Sequence, residues 1–292
     1  MQPRLFHLHA LSALHCGTGQ STGVVDLPIA RARATQLPIV PGSSLRGVLR
    51  QQVTEHHPEA APLLFGPQSI DGKTDSFAGA LAVGDAHLLT LPVRALAGIV
   101  CFASSPFILR RYAQDLARTG YDAPPLPPAQ GGETALVAAD SVNLLDDKLV
   151  LEDLDLTARG DKDVTAWAET IARTLHPSDA DGQRDFIQRF ALLPDDIFGF
   201  LAETATEVRA RIAIDERTGT VKKGALWYEE NLPAESVLWG LFALSGSNDR
   251  NDRRTANDLA PCLPATGTLL QLGGKAGVGR GLVRLVTAQV TQ

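Results

Sequence analysis

Between residues 4 and 53 the period of the apolar residues changes from two to 3.6, and this change restricts the fold more than any other feature of the chain. Residues 4–15 alternate, with Phe6, Leu8, Ala10 and Leu14 on one parity and His7, His9 and His15 on the other. That is the pattern of a strand buried on one face. Leu45, Val48, Leu49 and Val53 recur at i, i+3, i+4 and i+8, which gives a helix with one apolar stripe. A strand with one face to cover, followed by a helix with one stripe to bury, calls for an α+β fold with helices packed on a sheet. On this reading the apolar parity faces the helices and the histidines look out from a polar, open face.

The connection between the two elements suits close backbone approach. Gly17, Gly19 and Gly23 make residues 16–23 a flexible turn. Their spacing is not G-x-G-x-x-G and no helix follows directly, so a dinucleotide fingerprint is excluded. Pro41-Gly42 ends the connection, and Ser43 or Ser44 can serve as N-cap of the helix. The free N–H groups of its first turn would then face outward beside a serine hydroxyl, ready for an anion. Arg46 and Arg50, one turn apart, lie on the same side. From Met1 to Thr54 there are five basic residues (Arg4, Arg31, Arg33, Arg46, Arg50) against one acid, Asp26, in a chain whose net charge is −6. A local positive field in an acidic protein points to a polyanion site. Asp26 sits among Val24, Val25, Leu27 and Ile29, and on those surroundings alone it reads as a buried structural cap.

The rest of the chain narrows the class. With 292 residues, 44% hydrophobic and 21% charged, it is globular and long enough for a sizeable core. It has no run of 18 apolar residues, and the opening MQPRLFHLHALSALHC is too broken by histidines for a signal peptide. Cys16, Cys101 and Cys262 lie far apart without a C-x-x-C pair, which argues against a zinc ribbon or a disulfide framework and fits a reducing cytoplasm. The seven histidines form no H-E-x-x-H motif. Residues 66–80 read as a polar loop and 78–93 as a strand pair around a Gly-Asp turn with a structural Asp85. Residues 106–119 read as a helix opened by proline, and 121–133 as a proline-rich loop. Residues 140–169 carry nine acids against Lys148, Arg159 and Lys162, a solvated face turned away from any polyanion. A linker at 176–183 leads to two helices, 184–193 and 195–204, broken at Pro194.

Residues 207–215 alternate Val208, Ala210, Ile212 and Ile214 with Arg209 and Arg211, and the segment through Trp227 and Tyr228 pairs back as a hairpin. Basic residues interleaved with aromatics suit single-stranded RNA. A strand at 234–244 and a polar loop at 245–258 lead to a last glycine-rich segment. There Gly274, Gly279, Arg280 and Gly281 resemble a P-loop, but Arg280 stands for its Lys and Gly281 for its Ser or Thr, and a strand follows. An ATPase is therefore excluded. Gly273, Gly274, Gly277, Gly279 and Gly281 beside Lys275 and Arg280 instead expose backbone to RNA phosphates, and no acid occurs from Gln271 onward.

The run LHCGTG…GVVDLPIARARATQLPIVPGSSLRGVLR resembles the opening of the RAMP superfamily, and within it the repeated backbone subunit of type III-B (Cmr) CRISPR effector complexes. The likeness continues through GDAHLLTLPVRALAG (84–98), the 205–233 run and LQLGGKAGVGRGLVRL (270–285), in the family's order. It implies a ferredoxin-like (RRM-like) core in a single RAMP domain over 1–292, with large loop, hairpin and helical insertions at about 100–200 and 245–258. It also implies a guide-RNA (crRNA)-binding subunit that stacks with copies of itself and other Cmr subunits and cleaves paired target RNA at regular intervals. Asp26 takes the family's catalytic position, with Tyr228 and Glu229 as further catalytic candidates of unordered role. His15, Gly17, Gly19, Ser43, Ser44, Arg46, Arg50, Gly273, Gly274, Lys275, Gly277, Gly279 and Arg280 are the RNA-binding candidates. The implied chemistry is attack by the RNA's own 2′-hydroxyl on the adjacent phosphate. An isolated carboxylate, with a reference pKa of about 3.9, is a weak base at neutral pH, so Asp26 is expected to anchor a loosely held divalent cation, Mg²⁺, and to act as a base only if its pKa is raised. Two alternatives stand beside this: a structural RNA-binding filament subunit without catalysis, and a stand-alone RAMP endoribonuclease that processes guide precursor.

Overall fold

A computed structural model of the chain describes residues 1–21, 23, 25–67, 76–128, 132 and 134–287. Val24 and most of the 66–80 loop fall outside it, as do parts of the proline-rich loop and residues 288–292. The architecture is α+β. The first strand, Gln2–Ala10, runs antiparallel between Val237–Leu244 and Leu282–Thr287, and Val237–Leu244 pairs on its other edge with Ala86–Ala95. The helix Gly42–His56 lies in the connection from the first strand to Ala86–Ala95. The short helix Ala256–Leu259 lies in that from Val237–Leu244 to Leu282–Thr287.

The helical stripe read from the sequence is the one that packs. Leu45, Leu49 and Val53 are buried and Val48 lies against them. Leu45 and Leu49 meet Phe6, Phe242 and Leu285 of the sheet around a small apolar cavity. Full burial of one such leucine stabilises by roughly 1.5–3 kcal/mol.

The histidine parity is not an open polar face. His7, His9 and His15 are all buried. The helix Pro106–Arg118 covers this side: its Tyr112 hydroxyl is 2.8 Å from His7 Nε2, and its Asp115 accepts from the Trp239 indole N–H at 3.1 Å. The helix Lys162–Leu175 packs on it in turn, Trp167 against Tyr112. Burial pushes the His7 pKa down to about 4. His9 lies between Glu235 and Arg284, 2.7 and 2.9 Å away. Alternation reports that two faces differ, and a roofed face with hydrogen-bonded histidines alternates as a solvated one does.

The roof belongs to an insertion in which helices pack on a ring of strands. Ala86–Ala95, Ile99–Ser104, Phe190–Leu192, Thr134–Val137, Leu154–Gly160 and Lys148–Leu151 follow one another, and an Ala95–Leu151 pairing closes the ring. One apolar cluster runs from Leu5 to Leu285 through ring and central strands alike. Two local expectations fail here. The 184–193 helix is Ala180–Arg189, and Phe190–Leu192 is a buried strand parallel to Ile99–Ser104. The 78–93 segment is not a strand pair: Leu81–Val83 and Ala86–Ala95 both pair with the same edge of Val237–Leu244, with Gly84-Asp85 as the break between them. Short buried strands have no periodicity of their own, and the break resembles a turn in one dimension. No helix among the described residues is long and apolar enough to cross a membrane. Cys16, Cys101 and Cys262 are free thiols.

Candidate nucleic-acid interface and cleavage site

The hairpin Glu207–Ile214 and Val221–Asn231 forms as the alternation requires. Its apolar face is not buried: Val208, Ile212, Ile214, Val221, Leu226 and Tyr228 are all at least two-fifths exposed. At its base, the edge of Val221–Asn231 away from Glu207–Ile214 holds the segment 26–29. The Leu27 N–H donates to the Tyr228 carbonyl at 3.1 Å, the Glu230 N–H donates to the Leu27 carbonyl at 3.0 Å, and Asp26 Oδ2 accepts from the Tyr228 N–H at 2.7 Å. Asp26 is thus half-buried on the hairpin's open edge, and its second carboxylate oxygen has no hydrogen bond among the described residues. Tyr228 contributes its backbone to Asp26 while its ring stays exposed.

Glu229 is buried, with 2% of its surface exposed. Its Oε1 accepts from Lys275 Nζ at 2.9 Å and from the Trp227 indole N–H at 2.8 Å, and Arg211 Nε is 3.5 Å from Oε2. Burial alone would raise its carboxyl pKa. The Lys275 and Trp227 hydrogen bonds and the Lys275 and Arg211 charges outweigh burial and hold it below the usual glutamate range. Glu229 is therefore an ionised anchor for the C-terminal glycine-rich loop rather than an open base. Lys275 adopts a left-handed backbone, φ 68° and ψ 26°, a conformation that costs an L-residue about 1–2 kcal/mol.

That loop touches the N-terminal one. The Gly274 N–H donates to the His15 carbonyl at 2.9 Å, and His15 Nδ1–H donates to the Glu230 carbonyl at 2.7 Å. A carbonyl only accepts, so Nδ1 is the donor and Nε2 is the nitrogen left for a further partner; a Cβ on Gly17 would lie 2.6 Å from Nε2. His15, Gly17, Asp26, Tyr228, Glu229, Gly273, Gly274 and Lys275 thus gather at one place. Gly277, Gly279 and Arg280 continue the same turn, where Arg280 Nε is buried without a partner among the described residues. Gly19, φ 97°, lies in the loop that packs on 26–29 through the Thr18–Pro28 and Ser21–Asp26 backbone bonds.

The helix-borne candidates stand apart. The helix starts at Gly42, with Pro41 rather than Ser43 or Ser44 as N-cap and no side-chain cap bond. The Gly42 N–H donates instead to Asp85 Oδ1 at 2.7 Å, so a carboxylate from a distant strand does what a cap serine would do locally. Arg46 and Arg50 donate to the Phe65 and Gly66 carbonyls at 2.6 and 2.9 Å. They brace the loop after residue 65, and neither has an ion-pair partner among the described residues. Sequence reasoning missed Arg211 and Trp227 as partners of Glu229, and missed Glu230 with Arg31 altogether. The signal was the Glu229-Glu230 pair: neighbours on a strand point to opposite faces, so two acids at the end of one strand need two different sets of donors.

One glycine tests the assembly. Gly273 has φ 77°, and a Cβ there would lie 2.4 Å from the His15 carbonyl oxygen. Gly273→Ala is expected to destabilise the chain by roughly 2–3 kcal/mol, whereas Gly277→Ala, with nothing within 4 Å, stays within about 0.5 kcal/mol. Thermal unfolding of both variants checks this, and equal melting temperatures would mean that the two loops do not meet as described.

For a divalent ion, no group of three His, Cys, Asp or Glu side chains gathers among the described residues. The Asp26 oxygen without a hydrogen bond among the described residues offers one ligand to such an ion, which would take its others from elsewhere.

The comparisons with known proteins cover the whole chain. The RAMP superfamily profile matches residues 7–284. The "CRISPR system Cmr endoribonuclease Cmr4" of Pyrococcus furiosus is 34% identical over 295 residues, covering 100% of this chain and 97% of that protein. The crystal structure of oligomeric Cmr4 from Pyrococcus furiosus is similar at a TM-score of 0.74 and 27% identity, with 100% of both chains covered. A chain in the cryo-EM structure of the type III-B Cmr-beta complex bound to cognate target RNA shares the fold, with a TM-score of 0.71 at 17% identity over 98% of this chain and 97% of that one. The chain therefore belongs to the RAMP superfamily and, within it, to the Cmr4 family.

Proposed function

We propose that this chain is the crRNA-binding backbone subunit of a type III-B CRISPR complex and that it cleaves the paired target RNA. The observation that carries the reading is full-length 34% identity to a Cmr endoribonuclease. The gathering of the loop that carries His15 and Asp26, the hairpin base at 228–230 and the Lys275 loop from three distant parts of the chain supports it. Copies of the chain stack along the guide beside other Cmr subunits, in a reducing cytoplasm that suits the free thiols. The core is ferredoxin-like in one RAMP domain with insertions. Its support is the antiparallel order Leu282–Thr287, Gln2–Ala10, Val237–Leu244, Ala86–Ala95 with a helix in each crossing connection.

The glycine-rich segments 16–23 and 272–281 let an RNA backbone approach closely. The exposed ring of Tyr228 and the apolar hairpin face give a splayed base a stacking surface. His15 Nε2, the ring nitrogen not bonded to the Glu230 carbonyl, is left to hydrogen-bond the RNA. Asp26, pinned by the Tyr228 N–H, takes or orients the proton of the attacking 2′-hydroxyl, which forms a bond to the adjacent phosphorus as the bond to the 5′-oxygen breaks and that oxygen takes a proton from solvent. A bound Mg²⁺ supplies neutralisation of phosphate charge.

Purified chain mixed with guide RNA and then sized should form assemblies whose length follows the guide, and these should cut added target at regular spacing. Filaments of equal length without RNA would overturn the guide-templated picture. Arg46, Arg50, Lys275 and Arg280 are the phosphate contacts of this reading. Each contributes about −0.7 to the log–log salt slope, so changing all four to alanine should flatten it by roughly two to three units. An unchanged slope removes them from the site.

A further inference from the structure

Glu230 points away from Glu229 into a cluster that the reaction as described above does not use. Its Oε2 accepts from the Ile29 N–H at 3.0 Å, and its Oε1 accepts from Thr206 Oγ1 at 3.1 Å and from Arg31 Nη2. Arg31 Nη1 in turn donates to the carbonyls of Gln36 at 2.8 Å and Ala202 at 3.0 Å. Both side chains are largely buried, 16% exposed for Arg31 and 7% for Glu230. The cluster joins four pieces: the 26–31 segment, the 32–38 turn, the end of the helix Asp195–Thr204 and the base of the hairpin.

Its position relative to Asp26 gives it a task. Asp26 is held on the hairpin edge by a short run of bonds: Asp26 to Tyr228, Leu27 to Tyr228, Glu230 to Leu27. Beyond Leu27 the hairpin holds the segment through a side chain, the Ile29 N–H to Glu230 bond, while the other side of the segment pairs by backbone with residues 16–18, Thr18 N–H to the Pro28 carbonyl and Ala30 N–H to the Cys16 carbonyl. On the hairpin side the contact thus changes from backbone pairing to side-chain tethering three residues from the carboxylate, and Arg31 holds the tethering carboxylate. A guanidinium reaches one carboxylate and two carbonyls at once through a rigid planar fork of five donors, whereas an ammonium is a compact point charge with three.

We propose that Arg31 and Glu230 are positioning residues for RNA cleavage: together they clamp the 26–31 segment to the hairpin base and so set the placement of the Asp26 carboxylate. This rests on the reading of the chain as a target-cleaving subunit. The pair makes no contact with RNA and transfers no proton.

The test uses full-length chain assembled on guide RNA, at a temperature where every variant is folded. Glu230→Gln keeps the shape but turns one acceptor into a donor facing the Ile29 N–H or the Arg31 and Thr206 donors. It is expected to lower the single-turnover cleavage rate about 10- to 100-fold, with guide affinity, assembly size and the target concentration for half-maximal rate unchanged. Arg31→Met should do the same, and Arg31→Lys should recover part of the rate. In a double-mutant cycle, Glu230→Gln added to Asp26→Asn should lower the residual rate no further, because it acts through Asp26. Wild-type cleavage that persists unchanged in Glu230→Gln and Arg31→Met overturns the proposal. So does a loss that follows loss of assembly, or one that multiplies with Asp26→Asn, since either means a general structural role. A wild-type assembly that binds target but does not cut it overturns the cleavage reading itself, a result distinguishable from the others by the wild-type control.

Discussion

Asp26→Asn is expected to leave a folded, guide-bound assembly that has lost target cleavage by about 10²- to 10⁴-fold, the range for removal of a group that moves a proton in the transition state. The substitution suits the geometry. An asparagine carbonyl can still accept the Tyr228 N–H that Asp26 Oδ2 accepts now, so the 26–29 segment keeps its place on the hairpin edge. Asp26→Ala loses that bond as well and should destabilise by ~1 kcal/mol more. Guide affinity should hold or rise slightly in both, because a carboxylate repels phosphate. Cleavage and assembly size measured on one preparation decide the matter. A well-assembled Asp26→Asn complex that cuts at the normal rate would remove Asp26 from the chemistry, and a variant that fails to assemble would make it a structural cap.

Removal of the Glu229 carboxylate should have a large effect on stability. Glu229→Ala leaves Lys275, Arg211 and the Trp227 N–H without their common acceptor. Loss of one partner of a fully buried pair costs about 3–5 kcal/mol. Lys275 and Arg211 are each about a third exposed and can turn partly to water, so roughly 2–3 kcal/mol is expected. The pH dependence has a definite sign. The folded carboxyl is held below its ordinary value by these partners, against burial. Its contribution is therefore present above the unfolded glutamate value of about 4.3 and is lost as the pH falls through the lower folded value. Thermal unfolding of wild type and Glu229→Gln from pH 7 to pH 3 should show a gap at neutral pH that closes in acid. A gap independent of pH would mean that the charge of Glu229 is not what holds the Lys275 loop.

The basic character of the N-terminal stretch changes meaning in three dimensions. Of its five arginines, Arg31 is consumed by Glu230, while Arg46 and Arg50 keep their charge but spend hydrogen bonds on the carbonyls of Phe65 and Gly66. A residue count cannot separate a cation that waits for a phosphate from one already committed. The same holds for Arg211, which alternation places on the polar hairpin face and the structure places against Glu229.

The sequence by itself determined the elements with a strong period or a strong stop signal. The first strand, the Leu45–Val53 stripe, the helix opened by Pro106, the 207–231 hairpin and the strand after the last glycine loop are written in local spacing and turn chemistry, which act between residues a few positions apart. Asp26 became a candidate through the family resemblance, since its apolar sequence neighbours alone read it as a cap. Only the tertiary structure decided which surfaces those elements lose. The histidine face is roofed because an insertion more than ninety residues downstream folds back over it. Ser43 is no cap because Asp85 reaches the helix first. Glu229 and Glu230, adjacent in the chain, serve opposite sides of one strand, one bonded to Lys275 and the other to Arg31. The physical reason is common to all three. The partner that satisfies a buried polar group is chosen by distance in space, and residues that meet across a sheet or a loop leave no periodic trace along the chain.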